Sequence, residues 1–113
     1  MPFINVKTNN QISADQADQI KSQLGQAITA IPGKSESWLM VCIEDGKKLY
    51  FKGSDEPAAM VSVSIYGSAS SNALDTLTAH ITGILTDSLG ISSDRIYVSY
   101  AATNDWGWNG GNF

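Results

Sequence analysis

Apolar and polar positions alternate from Phe3 to Thr8, so the chain opens with a strand headed by Pro2, a residue tolerated at a strand's first position. Asn9-Asn10-Gln11 reads as a turn. Ser13 followed by Gln16 is a capping-box signature, and Asp15 falls in the first turn, where the helix dipole favours an anion. Ala17, Ile20, Leu24, Ala27, Ile28 and Ile31 then recur at helical spacing, and Pro32-Gly33 ends that helix near residue 31. The apolar run from Trp38 to Glu44 predicts a buried strand. Asp45-Gly46 signals a turn, and Lys48 to Phe51 a short return strand.

Gly53 to Pro57 breaks the chain again. Ala59 to Tyr66 is the clearest strand, with Val61, Val63 and Ile65 on one face. A small-residue loop from Gly67 to Ser71 supplies a serine cap for a second helix, whose apolar stripe runs through Leu74, Leu77, Ile81, Ile84 and Leu85 to a stop at Gly90. Asp94 to Tyr100 predicts another strand. A polar loop at Thr103-Asn104-Asp105 then leads to Trp106-Gly107-Trp108 and a glycine-rich tail ending at Phe113.

The elements fall in the order β-α-β-β twice, giving one α+β domain over residues 1–113 with a pseudo-repeat of about 1–55 and 56–113. Two β-α-β units with right-handed crossovers make a four-stranded mixed sheet with both helices on one face. The other face is then bare. The strands carry apolar residues on both faces, notably Trp38 to Ile43, so the sheets of several copies are expected to pack together.

Composition narrows the function classes. The net charge is −4 and no basic patch exists, which argues against a nucleic-acid partner. The run Trp38 to Ile43 is far too short to span a bilayer, and the first residues have no basic region or apolar signal core, so the expected compartment is the cytoplasm. Cys42 is the single cysteine; no internal disulfide or Cys-x-x-Cys motif can form, and a small buried side chain is its expected role. His80 is the single histidine and lies in a helical pattern, so no metal-ligand cluster is expected, nor any cofactor.

Pro2 is the candidate chemistry. With Met1 removed, its nitrogen becomes a secondary amine, a group that titrates near ~8 unperturbed. Partial burial or a nearby cation lowers that value and leaves a neutral base at neutral pH. The same proline also makes sense as a plain strand opening, and the residues alone leave both readings standing.

Met1-Pro2, Gly33-Lys34, Gly53-Ser54-Asp55-Glu56-Pro57, Asp94-Arg95-Ile96-Tyr97 and Trp106-Gly107-Trp108-Asn109-Gly110 occur in the order and spacing of the macrophage migration inhibitory factor family, which the whole chain resembles. The resemblance implies a homotrimer with active sites between subunits and keto–enol tautomerisation of α-keto acids such as phenylpyruvate. Pro2 matches the family's catalytic proline. Lys34 matches the lysine that binds the substrate carboxylate and helps keep the amine neutral by like-charge repulsion; the plain alternative is a solvated lysine at a helix end. Tyr97 matches a tyrosine that reaches the pocket from the neighbouring subunit, with a strand-packing aromatic as the alternative. Trp106 and Phe113 match the pocket mouth.

This chain departs from the family at several of these places. Tyr66 stands where the family commonly has isoleucine, at a position used partly through its backbone N–H. Ser99 replaces an asparagine and Trp106 a valine of the mammalian cytokine, so substrate identity is expected to differ more than the base. Ala58 to Val61 replaces the cytokine's Cys-x-x-Cys, removing its thiol chemistry, and Ile12 replaces an arginine implicated in receptor contact. A partner-binding trimer with a vestigial pocket, a receptor, and export without a signal peptide remain open alternatives.

Overall fold

The computed structural model describes residues 1–113. Strand β1 (Pro2–Thr8) is central. It pairs in parallel with β2 (Met40–Glu44) on one side and antiparallel with β3 (Ala59–Tyr66) on the other, and β3 pairs in parallel with β4 (Ile96–Thr103). The resulting order β2-β1-β3-β4 is the expected mixed sheet. Each parallel pair is joined by a helix, α1 (Ala14–Ala27) between β1 and β2 and α2 (Ser71–Leu89) between β3 and β4.

Period-two alternation decides which sheet face meets the helices. Ile4, Val6, Val61, Val63 and Ile65 all point one way and are buried against Ile20, Leu24 and Ile28 of α1 and Leu77, Ile81 and Leu85 of α2. Tyr100 adds a polar tie on this side. Its hydroxyl lies 2.7 Å from Thr78 Oγ1 and donates to the Leu74 carbonyl at 3.1 Å, and burial pushes its pKa above the usual tyrosine value. The phenol therefore stays a protonated donor at neutral pH.

Both helices start as their sequences direct. Ser13 Oγ accepts from the Gln16 N–H at 3.1 Å while Gln16 Oε1 accepts from the Ser13 N–H at 3.0 Å, completing the capping box. Ser70 caps α2 by accepting from the Ala73 N–H at 3.1 Å. Gly90 closes α2 with a left-handed φ of 70°, a conformation that glycine adopts without a Cβ penalty. The first helix ends at Ala27 and runs on as a 3-10 turn to Ala30, close to the expected stop.

Elsewhere the structure departs from the pattern of residues. Trp38 lies in a 3-10 turn (Glu36–Trp38) and is half exposed; the strand begins at Met40, itself 68% exposed. The apolar run is an edge strand covered on its helix side alone, where Val41 and Ile43 pack. Lys48 to Phe51 is not a strand. A single bridge joins Phe51 to Ser54 across a turn in which Lys52 and Gly53 both have positive φ. Thr103 belongs to β4 and not to a loop, whereas Asp94 and Arg95 precede that strand in a 3-10 turn. The tail folds into a hairpin of β5 (Gly107–Trp108) and β6 (Gly111–Asn112), whose two-residue turn Asn109-Gly110 has φ of 52° and 86°, as a type I′ turn requires.

The open face of the sheet is also less apolar than expected. Phe3, Met40, Met60 and Tyr97 occupy its ends, but Cys42, Asn5, Ser62 and Ser99 form one row across its middle. Cys42 is thus partly buried on this face and is not a core residue. Such a face suits contact around a polar centre more than a dry sheet-on-sheet seam.

Two truncations separate packing from local signals. Leu77→Ala should lower the unfolding free energy by about 2–5 kcal/mol, and Ser13→Ala by about 1 kcal/mol, in urea titrations at fixed protein concentration.

Candidate functional site

The site sits where the central strands end beside the turn after α1. Because β1 and β3 are antiparallel, Pro2 pairs with Ile65, and the next residue back meets the next residue on: the Tyr66 N–H donates to the Met1 carbonyl at 3.0 Å. Pro2 is buried and lies on the helix side of the sheet with Ile4 and Val6. After α1 the chain turns through Ile31-Pro32-Gly33, closed by the Lys34 N–H donating to the Ile31 carbonyl at 3.1 Å. That turn delivers Lys34 to the strand ends. Its Nζ donates to the Tyr66 carbonyl at 2.7 Å and stands 6.0 Å from the centroid of the Tyr66 ring.

Lys34 has no carboxylate partner here; the chain's one ion pair is Lys47 with Glu44. Its charge is spent on the terminal amine instead. The amine of Met1 is held below its ordinary value, first by burial, then by the Lys34 charge and a hydrogen bond with Lys34. Met1 therefore occupies the cleft that a processed Pro2 amine would face. Loss of Met1 would release two groups at once, the Pro2 nitrogen as an amine and the Tyr66 N–H as an unpaired donor.

Aromatic rings wall this end of the molecule. Tyr66 and Phe113 lie 5.3 Å apart, Phe113 stacks on Trp108 at 6.4 Å with an interplanar angle of 4°, and Trp108 meets Trp38 edge-on at 5.2 Å. The Phe113 N–H donates to the Trp106 carbonyl at 3.0 Å, pinning the chain end across the hairpin. A cavity of about 370 Å³ opens beside Pro2, lined by Phe3, Trp38, Met40, Trp106 and Trp108 among others. Such a space, largely apolar with Met1 and Pro2 on its wall, suits a small ligand with a flat or aryl body.

Pro2, Lys34, Tyr66, Trp106 and Phe113 are thus brought together by one chain. Tyr97 and Ser99 are not. Tyr97 pairs with Met60, and the row containing Pro2 passes through Ile65 and Ala102, so the two are separated by about 17 Å along the strands at ~3.3 Å per residue. Ser99 is mid-sheet, opposite Ser62, and exposed. Trp38, Trp108, Phe3 and Met40 line the cavity without having been singled out from the sequence. The signal for Trp108 was present in Asn109-Gly110, a hairpin turn that folds the tail back; Trp38 was concealed inside an apolar run that reads as strand.

A separate hollow of about 400 Å³ lies between the helices, with Gln23, Gln26, Thr76 and His80 on its walls. It holds uncharged polar groups and no second titratable residue beside the exposed His80, so it offers no acid–base pair. No group of His, Cys, Asp and Glu side chains could hold a metal ion, and no helix is long and apolar enough to cross a membrane.

Comparison with known proteins agrees with this geometry along the full chain. The family model for macrophage migration inhibitory factor (MIF) matches residues 1–113. The chain is 32% identical to the macrophage migration inhibitory factor of Meriones unguiculatus, across 100% of this chain and 99% of the relative. It is 31% identical to the macrophage migration inhibitory factor homolog of Trichuris trichiura, across 100% of both. Its fold is similar to the crystal structure of Leishmania major MIF2, with a TM-score of 0.94 at 31% identity over 100% of this chain and 97% of that one. The strand order, the capped crossover helices and the full-length match lead to one assignment: the chain belongs to the macrophage migration inhibitory factor family.

Proposed function

We propose that this protein is a homotrimeric tautomerase that interconverts the keto and enol forms of α-keto acids such as phenylpyruvate. The observation that carries the proposal is the pairing of a terminal amine depressed by burial and by Lys34 with an ammonium free of any carboxylate. A neutral amine and a fixed cation at one cleft are what removal of a proton next to a keto acid needs.

The chemistry is a 1,3 proton shift. The Pro2 nitrogen, once Met1 is removed, takes a proton from the methylene carbon beside the carbonyl. The electron pair left behind forms the carbon–carbon double bond, and the protonated Pro2 nitrogen returns its proton to the carbonyl oxygen, giving the enol and regenerating the neutral amine; ketonisation is the reverse. Lys34 holds the substrate carboxylate, and the Tyr66 N–H freed by Met1 loss adds a neutral donor at the same place. The ring of Pro2 fixes its nitrogen at the strand head, so the base is held in position without cost at the moment of reaction. Trp38, Trp106, Trp108 and Phe113 receive the aryl body.

The trimer is proposed from the open sheet face and the distribution of pocket residues. Met40, Tyr50 and Tyr97 are each at least 60% exposed in one chain, an apolar load that a further copy would cover. Tyr97 is too far from Pro2 of its own chain to take part, so its contribution to a pocket requires a neighbour.

Three outcomes test the reading, on protein whose intact mass shows Met1 removed. Pro2→Gly should lower the rate of phenylpyruvate ketonisation by roughly 10²–10⁴ with assembly intact. Lys34→Ala should raise KM by about tenfold or more while changing kcat less, since it removes a charge-assisted contact to the carboxylate. The rate should rise with pH through a midpoint below the ordinary amine value of about 8, because the protonated amine cannot act as a base; Lys34→Ala should shift that midpoint upward. Wild-type protein that assembles but shows no rate above buffer would transfer the reading to a partner-binding trimer.

A further inference from the structure

At the end of the sheet away from Pro2, the segment from Leu49 to Ala58 forms no helix or strand, yet two side chains bind its backbone throughout. Asn9, just past β1, donates through Nδ2 toward the carbonyls of Leu49, Asp55 and Glu56 at 3.2, 3.0 and 3.0 Å and accepts from the Ala58 N–H at 2.9 Å. Arg95, just before β4, donates to the carbonyls of Pro57, Phe51, Ser54 and Glu56 at 2.9, 3.1, 3.1 and 3.1 Å. The guanidinium has no carboxylate partner. It cradles the turn and stands 5.3 Å from the Phe51 ring centroid.

Phe51 in turn meets Tyr97 edge-on, with centroids 4.8 Å apart and planes at 69°. Around them Leu49, Tyr50, Ala59 and Met60 line an apolar hollow of about 220 Å³. A tyrosine on an open strand face samples several rotamers, and an edge-to-face neighbour removes that freedom. A phenylalanine on an irregular segment can do so only if the segment itself is held. Arg95 holds it through the Phe51 carbonyl.

We propose that Phe51, locked in place by Arg95, is the positioning residue for Tyr97, and that Tyr97 so oriented forms the aryl-facing wall of the Pro2 pocket in a neighbouring copy. This rests on the trimeric tautomerase reading and extends it to specificity: the Arg95–Phe51–Tyr97 relay acts on substrates with an aryl group and is silent toward acids without one. It acts on binding and leaves the proton transfer alone. The hydrogen bonds of Arg95 need its planar fork, so lysine at that position would reach too few carbonyls to replace it.

The test measures Kd for 3-phenylpropionate, an unreactive aryl acid, by quenching of the tryptophan fluorescence, alongside KM and kcat for phenylpyruvate, with propionate as the competitor lacking a ring. Phe51→Ala should raise both Kd and KM by about two- to tenfold, the range spanned by one aromatic pair, with kcat within about twofold and propionate binding unchanged. Phe51→Tyr should restore the wild-type values, and Arg95→Lys should reproduce the defect. The double variant Phe51→Ala/Tyr97→Ala should be no worse than Tyr97→Ala alone. Native mass spectrometry checks assembly, and Phe51→Leu, which keeps the volume but not the ring, replaces Phe51→Ala if the latter fails to assemble. Additive losses in the double variant, or equal weakening of propionate, would overturn the proposal, as would wild-type trimer that binds no 3-phenylpropionate. Wild-type trimer that binds it without turnover would refute Pro2 as the base and leave the assignment of Phe51 to be decided by the Kd series.

Discussion

Pro2 faces Ile65 because β1 and β3 run antiparallel in the register that also sets Ile4 against Val63 and Val6 against Val61. A slip of one residue would turn Ile4 and Val6 from the helix side to the open side, and their burial forbids it. At ~25 cal/mol per Å² of apolar surface, the alternation along these two strands outweighs any local preference at their ends. The position of the amine is therefore a by-product of core packing. So is the approach of Met1 to Tyr66, and with it the meeting of the chain's start with the carbonyl that Lys34 finds.

That arrangement makes an electrostatic site from few charges. Lys34 satisfies its ammonium on a backbone carbonyl, which orients it but leaves its charge uncompensated. The terminal amine bears the consequence, together with its own burial. A carboxylate at this place would have paired with Lys34 and removed both the anion attraction and the share of the amine's depression that Lys34 adds to burial.

The two ends of the sheet are built by different means. Near Pro2, aromatic rings from the 3-10 turn, from β3 and from the tail pack on one another, and the Asn109-Gly110 turn folds the tail into range. At the far end, two side chains hydrogen-bond an irregular segment into a fixed shape, and Tyr97 leans on it. Wherever backbone groups lack a ladder partner, polar side chains supply one. Asn9 and Arg95 do so in place of the short strand that Lys48 to Phe51 suggested.

Local patterns in the residues were enough for the elements whose partners lie close in the chain. Ser13 and Gln16, Ser70, Gly90 and the alternation of β1 and β3 all speak through spacings of a few residues, and those elements form as read. The mixed sheet and the grouping of Pro2 with Lys34 followed from periodicity and from resemblance to a family. What only the tertiary structure decided depends on contacts remote in sequence. Trp38 reads as strand by composition but is placed by where the 3-10 turn leaves it, against Trp108 some seventy residues on. Cys42 looks buried by its neighbours yet lies on the uncovered face of an edge strand. Phe51 looks like strand until Asn9 and Arg95 are seen to hold its backbone instead. In each case a short-range pattern registers how apolar a residue is, while the fold sets which side of the sheet is covered and which distant side chain arrives there first.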